Sequence, residues 1–291
     1  MSGGPASGAE RPVDLPYRIV WRSRALRQGA HRSTQSGAAG AFRDLATLME
    51  YRDPRRIDLR QTLRDPFDTL YVRRFEEKSQ IGVVMLLDLS GSMAFEGAAR
   101  KMEIAAELAE VVSGAVRRAG DTFALYAADD EVREALSVAP TRGRGGEADM
   151  VAALRSYKPQ RKGAKGLLDA AARIGRKRAL VFLVSDFLMP EGELEALFDA
   201  LSAHDVVPIR IVDSREGVEL PSWGLIELSD LETGRRRLVA MRPRLRAEWQ
   251  RRIEARRSFF RSVASRYGRA PFEIEDVIPW DRLGAHLAVG A

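Results

Sequence analysis

The stretch IGVVMLLDLSGSMAF, residues 81–95, runs apolar side chains directly into one aspartate and two serines. A near-continuous apolar run of this length is the mark of a strand buried on both faces, the kind found in parallel α/β sheets. In such sheets ligands gather beyond the carboxyl ends of the strands, where the strand order reverses. The D-x-S-x-S spacing of Asp88, Ser90 and Ser92 then admits two readings. A serine N-caps the following helix while Asp88 accepts backbone hydrogen bonds, or the three residues line a small oxygen-rich site.

A second buried strand, RALVFLVSD over 178–186, ends in the same manner on Ser185 and Asp186. The intervening and following segments alternate in period. Apolar spacing predicts a helix over 98–118, a strand over 121–128, an edge strand over 131–138, and short helices over 148–157 and 166–174. Helix 191–204 and strand 206–213 follow. Strands alternating with helices imply a doubly wound, mostly parallel α/β sheet. If the strands ending at 88 and 186 are neighbours, two carboxylates and several hydroxyls converge at the sheet's rim, facing solvent and able to grip a visiting carboxylate. That placement favours the oxygen-lined reading over a simple cap.

Before this core, residues 17–79 read as a strand-rich extension. It has a short strand at 17–21, a helix at 41–51 from the spacing of Phe42, Leu45, Leu48 and Met49, Asp-Pro turns, and a strand at 69–77. After the core (80–215), residues 216–291 read as a hairpin turning at 232–234 and a helix over 244–267 with Leu245, Trp249, Ile253, Phe260, Val263 and Tyr267 inward. A strand at 272–276 and a final helix from Trp280 complete the chain. Residues 1–16 are rich in Gly, Pro and Ser without an apolar stretch, and read as a disordered leader of a cytoplasmic protein.

Composition narrows the chemistry. The chain of 291 residues has no cysteine, which excludes disulfides, thiolate catalysis and Cys-type zinc sites. The three histidines, His31, His204 and His286, stand far apart. A bound metal would therefore use oxygen ligands, as Mg²⁺, Mn²⁺ or Ca²⁺ does. The net charge of +6 is spread by Arg interleaved with Asp and Glu, without aromatic platforms, and reads as a solvated surface rather than a nucleic-acid face. The apolar runs fall far short of the ~20 residues of a membrane helix. No glycine-rich phosphate loop is present, so the chain is not expected to hydrolyse ATP itself.

At residues 88–92 and 186 the sequence resembles the von Willebrand factor A fold, whose metal-ion-dependent adhesion site begins D-x-S-x-S and ends with an Asp after a later strand. The flanks 51–93 and 183–224 resemble a MoxR-associated bacterial family of unknown function built on such a core, and the resemblance extends over about residues 37–287. It implies metal-site roles, with Mg²⁺ as the ion, for Asp88, Ser90, Ser92 and Asp186. Where the family pattern has a Thr before the second buried strand, the aligned residue is Lys165, whose ammonium would stand where the cation belongs. Leu59 stands at a position where relatives have Trp, and the paired N-terminal membrane helices of many relatives are missing. The resemblance further implies a non-enzymatic adaptor or co-chaperone, partnered by a MoxR-type AAA+ ATPase and acting in maturation of, or metal insertion into, a client enzyme such as methanol dehydrogenase. The alternative is a Mg²⁺-dependent phosphohydrolase of the haloacid-dehalogenase type using Asp88, Lys165 and Asp186. Ser90 stands where that chemistry needs a general acid.

Overall fold

The computed structural model describes residues 12, 15–19, 21, 28–67, 69–143, 145–159, 163, 165–215, 221, 223–229, 236–267 and 269–289. Most of the expected leader and the whole hairpin turn at 232–234 lie outside these residues. Backbone packing divides the chain into two units, one of residues 21–81 with 119–121, the other of residues 1–20, 82–118 and 122–291. The segment after 216 thus belongs to the same unit as the central sheet.

In the smaller unit β1 (Gln28–Thr47) pairs antiparallel with β2 (Tyr71–Ser79), and a one-turn helix α1 (Leu59–Thr62) lies between them in the chain. The helix expected over 41–51 is instead the end of β1 followed by a turn at 48–50. The apolar residues there fit a helical stripe, but a partner strand is available and pairing wins. Ala46 sits buried opposite buried Val72, and Arg74 grips Asp44 across the strands with both contacts at 2.6 Å. The strand expected at 17–21 does not form over 17–19, where Arg18 donates its N–H to the Leu287 carbonyl at 3.0 Å.

The larger unit carries β3 (Gly82–Asp88), α2 (Lys101–Arg118), β4 (Thr122–Ala128), β5 (Val138–Thr141), α3 (Glu147–Ser156), α4 (Gly166–Ala172), β6 (Leu180–Ser185), α5 (Glu191–Leu201) and β7 (Asp205–Val212). A hairpin of β8 (Gly224–Ser229) and β9 (Arg236–Met241) follows, then α6 (Pro243–Arg266), β10 (Phe272–Glu275) and α7 (Trp280–Val289). Six strands form one sheet in the order β10-β7-β6-β3-β4-β5, parallel throughout except for the antiparallel edge strand β5. This is the doubly wound arrangement expected from the alternation. Val83 to Leu87 and Leu180 to Val184 are buried because helices cover both faces of the sheet.

Two elements differ from the sequence reading. The edge strand expected over 131–138 starts only at Val138, because Arg133 folds back onto Asp129 and Glu131 and holds the preceding segment in a tight loop. Helix α6 buries Phe260, Val263 and Ala264, while Leu245, Trp249 and Ile253 remain 36, 37 and 38% exposed. Among the described residues, the buried side chains of α6 lie in its C-terminal part. Phe260 stacks on Phe187 at 4.2 Å, and Tyr267 meets Phe198 of α5 at 5.3 Å. Among the described residues no helix is long and apolar enough to cross a membrane.

Gly166, the first residue of α4, marks the tightest backbone approach: a Cβ there would meet Glu131 main-chain atoms at 2.6–2.8 Å. Gly166→Ala should therefore cost about 1–3 kcal/mol through forced separation of α4 from the loop after β4. Gly192→Ala, in α5 with open space around it, should be neutral or stabilising by up to about 1 kcal/mol. Chemical denaturation of the two variants checks the contrast.

Candidate functional site

Strand β3 lies between β4 and β6. The chain leaves it toward β4 and β5 on one side, then returns to its other side with β6, β7 and β10. The strand order therefore reverses between β3 and β6, and Leu87 is paired with Val184 at their ends. This register sets Asp88 beside Ser185. The Ser185 hydroxyl donates to Asp88 Oδ2 at 2.6 Å, and Ser185 Oγ in turn accepts the Phe187 N–H at 2.8 Å. Asp88 Oδ1 accepts the Ser90 N–H at 2.8 Å, and the Ser90 and Ser92 hydroxyls lie 3.2 Å apart. The chain turns sharply after Asp186 through a left-handed Phe187 (φ 56°), a conformation costly for a bulky residue and held by burial of its ring.

Asp88, Ser90, Ser92 and Asp186 thus come together at the switch point. Into the same cluster comes a residue that sequence reasoning did not single out, Lys101, the first residue of α2. Its ammonium donates to Asp186 Oδ2 at 2.8 Å and to the Ser92 carbonyl at 3.2 Å, and lies 5.9 Å from the centre of the Phe95 ring. Lys165, the aligned candidate for an ion-replacing amine, is exposed at the head of α4, where the Gly166 N–H is fixed to the Asp129 carbonyl at 2.9 Å. Lys101, rather than Lys165, is the cation bonded to the Asp186 carboxylate.

The cluster is also closed rather than open to solvent. Asp88 is 1% exposed, Asp186 2% and Lys101 0%. Two charged carboxylates could not be buried so deeply without a compensating charge, and the ammonium supplies one. Burial, followed by the nearby Asp186 carboxylate, pushes the Asp88 carboxyl up to about 7, against the hydrogen bonds from Ser185 and Ser90. The Asp186 Oδ2 and the Ser92 carbonyl, oxygens that a hard cation would use, are occupied by the Lys101 ammonium. Mg²⁺ does not fit this arrangement, because it would have to take the same oxygens beside a like charge.

Lys101 is aimed by a second carboxylate. Asp213, just after β7, accepts the N–H groups of Gly97 at 2.9 Å, Ala98 at 3.1 Å, Ala99 at 2.8 Å and Arg215 at 2.8 Å. It fixes the segment entering α2, and a Cβ on Gly97 would strike Asp213 Oδ1 at 2.5 Å. Burial pulls the Asp213 pKa upward, but the backbone bonds outweigh it and hold it below the ordinary 3.8. A group with a depressed folded-state pKa stabilises above its unfolded value and loses that contribution as pH falls through the folded one. Asp213→Ala should thus cost about 3 kcal/mol at neutral pH. Its deficit against wild type should shrink below about pH 4, which denaturation at near-neutral and acidic pH checks.

Comparison with known proteins places the chain in a family. The chain is 38% identical over 99 residues to an uncharacterized protein in the moxR 3' region of Paracoccus denitrificans, spanning 34% of this chain and 94% of that protein. It is 29% identical over 216 residues to the uncharacterized protein Rv1480 of Mycobacterium tuberculosis, covering 71% of this chain and 65% of that one. The chain therefore spans about two thirds of the mycobacterial relative. Among solved structures, BatB from Bacteroides thetaiotaomicron aligns over 72% of this chain and 98% of its own, at 11% identity and a TM-score of 0.46. The family described as "Protein of unknown function DUF58" matches residues 51–259, and the chain belongs to it.

Proposed function

We propose that this chain is a non-enzymatic adaptor working with a MoxR-type AAA+ ATPase in the maturation of a client enzyme. Metal insertion, as into methanol dehydrogenase, is the setting the family resemblance suggests. On this reading the sheet is of von Willebrand factor A type and its C-terminal rim is the docking edge. The observation that carries the proposal is the relative whose printed name sets it in a moxR 3' region, which points to a MoxR-linked role for the family.

The chemistry of the rim favours binding over catalysis. The hydroxyl of Ser185 is committed to Asp88, and Asp186 is neutralised by Lys101, so a nucleophile with a free base is not assembled from these groups. His204 accepts the Ala179 N–H at 3.3 Å, and His286 packs on Phe272 at 5.2 Å, both away from the cluster. A partner carboxylate would meet the rim at the exposed residues 96–98, of which Gly97 and Ala98 are held by Asp213.

Calorimetric titration against the organism's MoxR-type ATPase, loaded with a non-hydrolysable nucleotide, tests both parts. Complex formation is expected, and Ala98→Glu, at an exposed position of the rim, should repel a partner carboxylate and weaken it by about tenfold or more. Unchanged affinity in that variant removes the rim as the docking edge. Absence of any complex removes the ATPase as partner.

A further inference from the structure

We propose that Lys101 is a resident cation: its ammonium stands where a divalent ion would bind between the β3 and β6 loops, making the cluster independent of metal. The inference concerns the isolated protein and stands whether or not an ATPase is the partner.

Four observations carry it. The ammonium touches oxygens that are natural ligands of a hard cation, the Asp186 carboxylate at 2.8 Å and the Ser92 carbonyl at 3.2 Å. It lies at the point where the strand order reverses, beside the D-x-S-x-S loop, so it shares the oxygen-lined site instead of capping a surface. Its side chain is fully buried with its partner, a placement a lysine adopts only when its charge is matched. Its position is also built, because Asp213 fixes the three residues 97–99 before α2 and so directs the side chain of Lys101 inward. A lysine brings a compact point charge on a flexible stem with donors pointing outward, which suits an ion's place better than the planar fork of arginine.

A lysine in this place changes what the site responds to. A metal-dependent site loosens when the ion is chelated and its occupancy follows the ion's concentration. A covalently tethered ammonium is always present. The protein should therefore keep its stability and its rim geometry in chelator, and Mg²⁺ should not regulate it.

Mn²⁺, with its paramagnetic signal, is the probe for the ion. In electron paramagnetic resonance titrations wild-type protein should leave millimolar Mn²⁺ free, and neither EDTA nor Mg²⁺ should move its Tm. Lys101→Ala opens the space and leaves Asp186 uncompensated, so its Tm should fall by roughly 10 °C. Mn²⁺ should then bind it at least about tenfold tighter than wild type and restore part of the lost Tm. Lys101→Ala with Asp186→Asn should show neither the binding nor the rescue. Stoichiometric Mn²⁺ binding by wild type overturns the proposal, as does a folded Lys101→Ala with no gain in Mn²⁺ affinity. If Lys101→Ala folds only when Mn²⁺ is supplied, the proposal is supported. If it folds under neither condition, the wild-type titration decides alone.

Discussion

A buried ammonium persists in a protein core only where an opposite charge and further acceptors replace its lost hydration, and the contact of Lys101 with Asp186 meets that condition. Much of the larger unit is organised around it. Asp186 directly follows β6 and is succeeded by a strained Phe187, whose ring stacks on Phe260 of α6. Lys101 hangs from the start of α2, which Asp213 at the end of β7 fixes in place. Asp88 completes the group from the end of β3, joined to β6 by the Ser185 hydroxyl. Three parallel strands and one helix therefore converge on one buried ion pair, and removing Lys101 or Asp186 would leave its partner buried without compensation.

The ion pair also explains why an oxygen-lined loop is sealed. Two carboxylates brought to one point repel each other, and either water or a cation must intervene. A lysine carries only one charge, and a raised Asp88 pKa near 7 is the direction expected when the remaining negative charge has little water to stabilise it. The gain is a cluster that needs no ion to hold its shape. The consequence for an adaptor is that its docking edge would be set by packing and by the Asp213-held segment before α2, not by ion availability.

How far the sequence revealed this depends on distance along the chain. Asp88 and Asp186 were legible because each ends a near-continuous apolar run, and such runs pair as parallel neighbours. The sheet class followed from the same alternation. Lys101 was not legible. A lysine opening an amphipathic helix reads as a solvated first-turn residue, and its carboxylate partner lies 85 residues away. Lys165 drew attention through alignment with a family Thr, yet the ammonium that bonds the Asp186 carboxylate is that of Lys101. The helix expected at 41–51 failed for a related reason. Four apolar residues satisfied a helical stripe, while the decisive fact was a partner strand that begins only at Tyr71. The stripe of Leu245, Trp249 and Ile253 was read as inward because its spacing is correct, but spacing cannot say whether anything covers it.

The most direct measurement is a crystal structure of the wild-type protein grown with Mn²⁺, with anomalous differences collected near the manganese edge. Density for Lys101 Nζ within hydrogen-bond reach of Asp186 and the Ser92 carbonyl, and no anomalous peak among Asp88, Ser92 and Asp186, is the expected result. A manganese peak at that point, with Lys101 turned away, would contradict it.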